Sequence, residues 1–589
     1  MESDLTSTAL DTASLIATAR AWIGQDPDAR TRAEVQDLIG REQWGELAER
    51  FAAPMEFGTA GLRGLVGAGP GRMNVATITQ AADAVAREAL ANTRDAKSRG
   101  IVVGRDARRM SDELALVAAE VFAAHGITVH WLPRPSPTPV CAFLGRHYGA
   151  AAIVIVTASH NPPEYNGFKV YGESASQIVP PQDVRIRELR DSVTDASAVP
   201  RLPFTEAVSR GLIRVVPATD LKAYLTAIDA QCLGTNPPPA QVSAVTTALH
   251  GVGHAWVADA LTLRGHRHLF PVMEQAYPDG SFPTVRFPNP EEKGALDLAQ
   301  ALGRNKFAEL ILANDPDTDR LSVAVRDASQ ASGYRVLTGN EVGLLLADWV
   351  LSEGPKKAGW PDKPFVSCSL VSTAMLEPLT QARGATYAEV LTGFKWIWHE
   401  ALARAERGET FVYGFEEALG YCVGRAVRDK DGIGAAQAIM DLAAYEKARG
   451  RTLLDRLDAI ATEIGASVTD QVTLTLPGLE GIARIGRIMK AWRDGPPSDV
   501  AGIAVARRRD LAGPDAEAAN LPQGDVLTWW LSDGSRIVAR PSGTEPKLKV
   551  YLETVAAVGE GGLEAARIAA RSKCDAIAAD LKARIAAIV

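Results

Sequence analysis

The chain has 589 residues, a formal charge of −8 at pH 7, and 46% hydrophobic against 23% charged residues. It is too long for one hydrophobic core, because domains average about 150 residues, so we expect about three to five domains. The acidic balance argues against nucleic acid as the main partner, and no apolar run approaches the roughly 18 residues that would predict a membrane span.

The first 50 residues, rich in Ala, Arg and Glu, predict helices packed on the first domain. They contain no basic segment followed by a long apolar one, so we expect no signal peptide. The five cysteines are scattered singly, without a CxxC pair, which is typical of a reducing compartment. We therefore expect a cytoplasmic protein.

Strands and helices then alternate. Residues 101–109 (IVVGRDARR) predict a strand followed by a polar loop, and residues 111–126 predict a helix with Ser111 as its N-cap and Gly126 in the left-handed position after its last turn. Apolar segments at 127–132 and 151–156 (AAIVIV) predict two further strands.

The same alternation returns at 242–253, 308–325 and 365–370, which indicates βαβ units and largely parallel sheets. In such sheets, ligand-binding loops gather at the carboxyl ends of the strands. The segment 465–589 breaks the pattern and predicts a smaller α+β domain that ends in a helix with one apolar stripe. The stripe consists of Ile577, Leu581, Ile585 and Ile588.

The acidic turn 314–320 (NDPDTDR) follows an apolar strand. Its three carboxylates can converge their oxygens on one hard divalent cation such as Mg²⁺. An EF-hand loop would need Gly and Glu where this chain has Arg320 and Arg326. A solvated acidic loop is the alternative, but the strand before it and the adjoining arginine favour a metal site.

Residues 540–547 (RPSGTEPK) combine hydroxyls, backbone amides around a glycine and flanking cations, which together suit a phosphate dianion. A plain hairpin turn is the alternative, since Pro, Ser and Gly all form turns. With a metal loop in the same chain, phosphate binding is the better interpretation.

Four more segments contain polar groups that are weak signals when taken singly. Paired acids in GFEEALG can accept hydrogen bonds from sugar hydroxyls, and a lysine in RDKDG can transfer a proton if its pKa is lowered. A serine and a histidine follow the strand AAIVIV, where a surface loop is the alternative. The segments are 414–420 with 428–432, 392–396 (TGFKW), 57–64 (FGTAGLRG) and 157–171 (TASHNPPEYNGFKVY).

Together, in this order, these segments resemble the α-D-phosphohexomutase superfamily over essentially the whole chain. TASHNP is similar to its phosphoserine loop, DPDTDR to its metal loop, GFEEALG to its sugar-binding loop and RPSGTEPK to its phosphate-binding loop. The branch with phosphoglucomutases and phosphopentomutases is the most similar. The resemblance implies three related α/β domains with mixed, largely parallel sheets and a smaller C-terminal α+β domain around a central cleft. The expected ranges are 1–50 for a helical extension, then 51–215, 216–328, 329–460 and 461–589.

The resemblance also implies roles for individual residues. Ser159 would be the phosphoserine, and it would bind one Mg²⁺ together with Asp315, Asp317 and Asp319. The implied catalytic group is completed by Arg63, His160, Lys169 and Lys430. The implied substrate-binding residues are Arg320, Thr392, Gly393, Lys395, Glu416, Arg540, Ser542, Gly543, Thr544 and Lys547.

The implied activity is that of a phosphoglucomutase, which interconverts glucose 1-phosphate and glucose 6-phosphate through a bisphosphorylated sugar that also serves as activator. Ala418 departs from hexose-specific members, which often carry serine there, so pentose phosphates remain open, as do phosphomannomutase and glucose 1,6-bisphosphate synthase activities. An Asp-nucleophile phosphatase using Asp315 and a non-catalytic sugar-phosphate binder are the alternatives from other classes. The expected partners are sugar phosphates only, with no nucleic acid or membrane, in a monomer or homodimer.

Overall fold

The computed structural model describes residues 12–58, 61–476, 478–542 and 547–588. The chain begins with three helices whose apolar faces, including Leu15, Leu47 and Phe51, pack together and against Ala68 of the first α/β domain. Arg50 ties these helices to that domain, because its guanidinium donates to Glu34 and to the carbonyl of Ala68. The helices are α1 (Thr12–Gln25), α2 (Ala29–Gly40) and α3 (Trp44–Phe51).

The first sheet has six strands in the order β1-β5-β4-β2-β3-β6. β4, β2, β3 and β6 run parallel to one another. At one edge β5 pairs antiparallel with β4, and β1 pairs antiparallel with β5. The strands are β1 (Gly61–Leu65), β2 (Ile101–Arg105), β3 (Val129–Trp131), β4 (Ala152–Val156), β5 (Tyr165–Tyr171) and β6 (Ile213–Val215). The helices are α4 (Val75–Asn92), α5 (Ala96–Arg99), α6 (Ser111–Ala124), α7 (Thr138–Tyr148), α8 (Gln182–Asp191) and α9 (Phe204–Ser209).

The predicted strands at 101–105 and 151–156 are confirmed, and every residue of β2 and β4 is buried. The helix predicted at 111–126 is also confirmed, and Gly126 adopts the expected positive φ of 72° after it. The N-cap prediction was wrong. Ser111 is the first helical residue, one position past the N-cap Met110, and its hydroxyl donates instead to the buried Asp106 carboxylate at 2.7 Å.

The second and third sheets are also mixed, in the orders β11-β10-β9-β7-β8 and β13-β12-β14-β15. The second contains β7 (Ala244–Thr247), β8 (Leu269–Pro271), β9 (Leu310–Ala313), β10 (Ser322–Arg326) and β11 (Tyr334–Val336), with α10 (Ala218–Asp229), α11 (His254–Leu263) and α12 (Asp297–Lys306). The third contains β12 (Pro364–Ser369), β13 (Thr386–Val390), β14 (Thr410–Glu416) and β15 (Gly420–Val423), with α13 (Gly339–Glu353), α14 (Leu376–Ala382), α15 (Phe394–Ala405), α16 (Gly432–Lys447) and α17 (Leu453–Ile464).

The C-terminal domain is built on a six-stranded antiparallel sheet with its own apolar core. In its last helix Ile577, Leu581 and Ile585 are buried and Ile588 is partly buried, which confirms the predicted stripe. The strands are β16 (Ala466–Thr475), β17 (Asp499–Val500), β18 (Ile503–Asp510), β19 (Leu527–Leu531), β20 (Arg536–Pro541) and β21 (Lys547–Ala556). The helices are α18 (Gly478–Asp494), α19 (Asp515–Ala518) and α20 (Gly562–Ile588).

Each polar motif follows, or forms, the end of a strand: β4, β9, β14 and β20. Contacts between domains then bring the loops together. The amide of Thr138 in the first domain donates to the carbonyl of Asp317, and the amide of Leu321 donates to the carbonyl of Leu419 in the third. None of the helices in the described part of the chain combines the length and apolar character that crossing a bilayer requires.

Candidate active site

Ser159 lies three residues after the end of β4 and is almost fully buried, with 3% of its surface exposed. Its φ is +50°, a left-handed conformation that a non-glycine residue holds only when its surroundings enforce it. The Thr157 hydroxyl accepts from the Ser159 amide at 2.9 Å, and Ser159 Oγ donates to Asp315 Oδ2 at 2.7 Å. The loop therefore directs the serine hydroxyl at the acidic turn of the second domain.

Arg108 holds this loop in place, and sequence reasoning did not single it out. Its buried guanidinium donates to the carbonyls of Ser159, Asn161 and Pro162, the last at 2.7 Å. Asp106 pairs with the same guanidinium at 3.1 Å and accepts from the Thr157 hydroxyl at 2.6 Å. The signal was an arginine-rich segment directly after the buried strand β2, which predicted only a polar loop.

His160 is the neighbour of Ser159 in space as well as in sequence, with Nδ1 at 3.3 Å from Ser159 Oγ. Burial, together with the charges of Arg320 and Arg63, holds the pKa of His160 well below its usual value. The imidazole is therefore neutral near pH 7 and can exchange a proton with a hydroxyl. Arg63 donates to the Asn161 side chain at 3.2 Å and so reaches the same loop.

Asp315, Asp317 and Asp319 form a buried cluster in which one carboxylate oxygen of each lies within 4.8 Å of the others. Burial and the charges of the other two aspartates raise the pKa of Asp315 well above its usual value. Three carboxylates in one buried site repel one another unless cations balance them.

A hard divalent cation fits this cluster. Asp317 Oδ1 and Asp319 Oδ1 are buried, and the described residues offer neither of them a hydrogen bond. Unsatisfied buried carboxylate oxygens are costly in a protein interior, and oxygen ligands are what Mg²⁺ prefers. The second oxygens are already engaged, for example Asp317 Oδ2 by the Thr138 hydroxyl at 2.6 Å.

Two lysines contact the same aspartates. Lys169 Nζ lies 2.6 Å from Asp317 Oδ2 and 2.9 Å from Asp319 Oδ2, and Lys430 Nζ lies 3.1 Å from Asp319 Oδ2. Burial lowers the pKa of each lysine, but the aspartates outweigh it and raise both pKa values. Both side chains are therefore ammonium groups that add positive charge beside Ser159 and Asp315.

A cavity of about 540 Å³ is lined by residues of all four domains, among them His160 and Asn161, which follow Ser159, and Arg320, which follows Asp319. Its wall contains five cationic side chains and two acidic ones, Glu291 and Glu292. Its size suits a sugar phosphate, and its charge suits phosphate groups. The predicted residues in its wall are Arg63, His160, Arg320, Arg540, Ser542 and Lys547, and the wall residues that sequence reasoning missed include Tyr165, Phe287, Asn289, Gln471, Thr473 and Lys549.

The sugar-loop candidates lie beside this cavity. Glu416 Oε1 accepts from the Gly393 amide at 2.6 Å, which joins the segments 414–420 and 392–396. Glu417 is held by the Ser369 and Ser372 hydroxyls, and Ala418 faces the cavity. Several described candidates do not form part of its wall: Ser159, Lys169, Lys430, Asp315, Asp317, Asp319, Thr392, Gly393, Lys395 and Glu416.

Lys395 packs its ammonium 4.9 Å from the Trp396 ring, and burial lowers its pKa to about 8. Gly543 and Thr544 lie outside the described residues, so their predicted contacts stay predictions.

The segment Asn166-Gly-Phe does not turn the chain, although Asn and Gly are common turn residues. These residues lie inside β5, and the turn is made by 158–164. Gly167 is required there because a Cβ would lie 2.4 Å from the Thr157 carbonyl oxygen. The glycine permits a close approach of β5 to the loop of Ser159, and Lys169 reaches the aspartates from the same strand.

Four family models match the chain in succession. They are described as phosphoglucomutase/phosphomannomutase alpha/beta/alpha domain I at residues 54–196, domain II at 222–329, domain III at 338–463 and the C-terminal domain at 486–570. These matches follow the four sheets described above.

Whole proteins also match over most of their length. A protein named "Probable phosphomannomutase" from Haemophilus influenzae is 41% identical over 78% of this chain and 88% of its own. A human phosphopentomutase is 34% identical over 92% of both chains. The open form of pp63/parafusin, a phosphoglucomutase from Paramecium, shares the fold with a TM-score of 0.65 at 18% identity, covering 92% of this chain and 96% of its own. The chain therefore belongs to the phosphoglucomutase/phosphomannomutase family, whose members are phosphomutases of the isomerase class.

Proposed function

We propose that this enzyme interconverts glucose 1-phosphate and glucose 6-phosphate with Ser159 as a reusable phosphoryl carrier. One observation carries the proposal: the buried Ser159 hydroxyl lies 2.7 Å from Asp315 in the acidic cluster, and the next residue, His160, lines a cavity with five cations in its wall. A left-handed backbone at a non-glycine residue is strained and clusters at functional sites, and the residues that follow Ser159, His160 and Asn161, line the cationic cavity.

The reaction consists of two transfers that mirror each other. In the first, a free hydroxyl of the sugar monophosphate attacks the phosphorus of phosphorylated Ser159, a new O–P bond forms, and the bond from phosphorus to Oγ breaks. The sugar leaves as a bisphosphate, and the hydroxyl proton ends on Oγ. In the second, Ser159 takes the other phosphoryl group and returns the proton, so a sugar bisphosphate also serves as the primer of an unphosphorylated enzyme.

Charge and position are the chain's main contributions to these transfers. Arg63, Lys169 and Lys430 surround the site of Ser159 with positive charge. Bound at Asp315, Asp317 and Asp319, Mg²⁺ would supply further positive charge to the phosphoryl oxygens. The neutral imidazole of His160, 3.3 Å from Oγ, can carry the proton between oxygens.

The phosphate that is not being transferred must be bound in both orientations of the sugar. Arg540, Ser542 and Lys547 line the cavity from the C-terminal domain, and His160 and Arg320 line it from the first and second domains. A phosphate held there keeps the reacting hydroxyl near Ser159, and the bisphosphate must turn end for end between the two transfers.

A specific observation favours pentose phosphates as the second candidate substrate. Ala418 lies in the cavity wall where a serine hydroxyl could contact a hexose. Comparing kcat/KM for glucose 1-phosphate, mannose 1-phosphate and ribose 1-phosphate, each with its matched bisphosphate, tests the proposal. A preference for ribose 1-phosphate would make it the substrate in place of glucose 1-phosphate. The absence of turnover with all three sugar phosphates would overturn the proposed mutase function.

Restoring the hydroxyl should shift this preference. In Ala418→Ser, we expect the ratio of kcat/KM for glucose 1-phosphate to that for ribose 1-phosphate to rise about fivefold, because one net hydrogen bond contributes about 1 kcal/mol. Ala418→Val adds bulk without a hydroxyl and is the matched control. An equal rise in both variants would show that shape, not hydrogen bonding, sets the ratio.

A further inference from the structure

A hydrogen bond joins the first domain to the loop that carries Lys430. Tyr171 Oη donates to Asp429 Oδ2 at 2.6 Å, and both side chains are buried, with exposures of 0% and 2%. The two residues are 258 positions apart in the chain. The Gln177 amide donates to the same phenol oxygen at 3.4 Å, so the phenol is held on both sides.

The other oxygen of Asp429 faces Lys430. Asp429 Oδ1 accepts from the Lys430 amide at 2.7 Å and lies 3.3 Å from Lys430 Nζ, which in turn lies 3.1 Å from Asp319 Oδ2. A continuous row of polar contacts thus runs from Tyr171 through Asp429 and Lys430 to the acidic cluster. Rotation of the Asp429 carboxylate would break the contact with Lys430 Nζ.

The strand β5 explains why Tyr171 is in this place. Alternate residues of a strand share a face, so Lys169 and Tyr171 project from the same side of β5. Lys169 reaches Asp317 and Asp319, and Tyr171 reaches the loop of the second lysine. One strand therefore supports both ammonium groups.

We propose that Tyr171 is a positioning residue for phosphoryl transfer, which orients Asp429 and through it the ammonium group of Lys430. This inference rests on the proposed mutase function. Tyr171 is not among the described residues that line the cavity, and its effect is exerted through Lys430. Transfer to and from Ser159 depends on charge that is placed before the reaction, so a displaced ammonium group slows the transfer without removing a group that binds substrate.

The fold supplies a matched control. Tyr224 Oη donates to Asp431 Oδ1 at 2.7 Å, with both side chains buried, in the same loop and from another domain. Asp431 accepts from the amides of Ile433 and Gly434 and so caps α16, and it makes no contact with Lys430 Nζ among the described residues. Tyr224→Phe removes an equivalent buried hydrogen bond that does not lead to the lysine.

The first experiment compares Tyr171→Phe and Tyr224→Phe in steady-state mutase assays and in thermal unfolding. We expect Tyr171→Phe to lower kcat about tenfold with KM changed less than about twofold, because the displaced Lys430 ammonium group stabilises the transition state less well. Tyr224→Phe should lower Tm by a similar amount and leave kcat within about twofold of wild type. Equal kcat losses in the two variants, or no loss in Tyr171→Phe, would overturn the inference. If Tyr171→Phe does not fold, Asp429→Asn must reproduce the kcat loss.

A second experiment tests whether Tyr171 acts through Lys430. The measured quantity is the single-turnover rate of transfer from phosphorylated enzyme to sugar phosphate. Introducing Tyr171→Phe into the wild-type enzyme should lower this rate about tenfold, whereas introducing it into Lys430→Ala should leave the rate unchanged. Independent, additive losses would overturn the inference. If the wild-type enzyme turns over sugar phosphates but the two tyrosine variants behave alike, the inference alone is refuted. If the wild-type enzyme is inactive, the proposed function is refuted and the inference with it.

Discussion

Ser159→Ala should lower the mutase kcat by roughly 10⁴-fold or more, because it removes the only atom that carries the phosphoryl group in the proposed reaction. The Cβ stays, so the left-handed backbone of the loop is not relieved or further strained. The hydrogen bond to Asp315 and the 3.3 Å contact with His160 Nδ1 are lost, and we expect the free energy of unfolding to fall by about 1 kcal/mol. Turnover with a bisphosphate primer, thermal unfolding and binding of glucose 1-phosphate measure the three consequences separately.

Ser243→Ala is the matched control for the lost hydrogen bond. Its hydroxyl donates to Glu309 at 3.0 Å just before β7, at the amino end of a strand, whereas the site lies at the carboxyl ends. This variant should keep its turnover with a comparable cost in stability. Retention of more than about a hundredth of wild-type kcat in Ser159→Ala, well above what loss of a covalent nucleophile allows, would end the phosphoserine mechanism.

The chemistry of the phosphorylated enzyme separates the mutase from an Asp-nucleophile phosphatase. A phosphate ester on Ser159 resists hydroxylamine and acid, whereas an acyl phosphate on Asp315 is cleaved by hydroxylamine. We expect the label from ³²P-labelled sugar bisphosphate to survive hydroxylamine in wild type and to be absent in Ser159→Ala. A hydroxylamine-labile label that persists in Ser159→Ala would assign the chemistry to Asp315.

The sequence predicted what depends on neighbouring residues. An unbroken apolar run predicted β4, and alternating acids after another strand predicted the cluster of Asp315, Asp317 and Asp319, because strand ends and carboxylate spacing are local properties. The apolar stripe of the last helix was likewise readable from its spacing. Predicting these features does not require knowing how the domains pack against one another.

The sequence did not predict what depends on close approach between distant segments. Arg108 donates to backbone carbonyls of a loop 51 to 57 residues further along the chain. The residues next to it in the sequence do not distinguish it from Arg109. Asn166 and Gly167 look like turn residues, but Gly167 serves a close backbone approach inside a strand. The bond between Tyr171 and Asp429 likewise depends on domain packing, which local patterns do not contain.

The metal assignment leads to a second large effect. Asp317→Asn should weaken divalent-cation binding by about 100-fold or more, because it neutralises a direct ligand, where even outer-shell partners contribute 10–100-fold. We expect kcat to fall roughly 10²–10³-fold at a fixed Mg²⁺ concentration, as when one stabilising group is removed from a charged transition state. The asparagine keeps the shape of the side chain, and Lys169 retains its contact with Asp319 at 2.9 Å, so the fold should persist.

Binding of Mn²⁺ measured by electron paramagnetic resonance separates loss of the metal from loss of activity, since it needs no substrate. Asp441→Asn is the control: this carboxylate is as buried as Asp317 but pairs with Arg264 at 2.9 Å and with His266, outside the acidic cluster. It should lower Tm while leaving Mn²⁺ affinity unchanged. If Asp317→Asn binds Mn²⁺ as tightly as wild type, the unpartnered oxygen of Asp317 does not serve a cation. Among the described residues, Lys169, Lys430 and Arg320 would then balance the charge of the three aspartates.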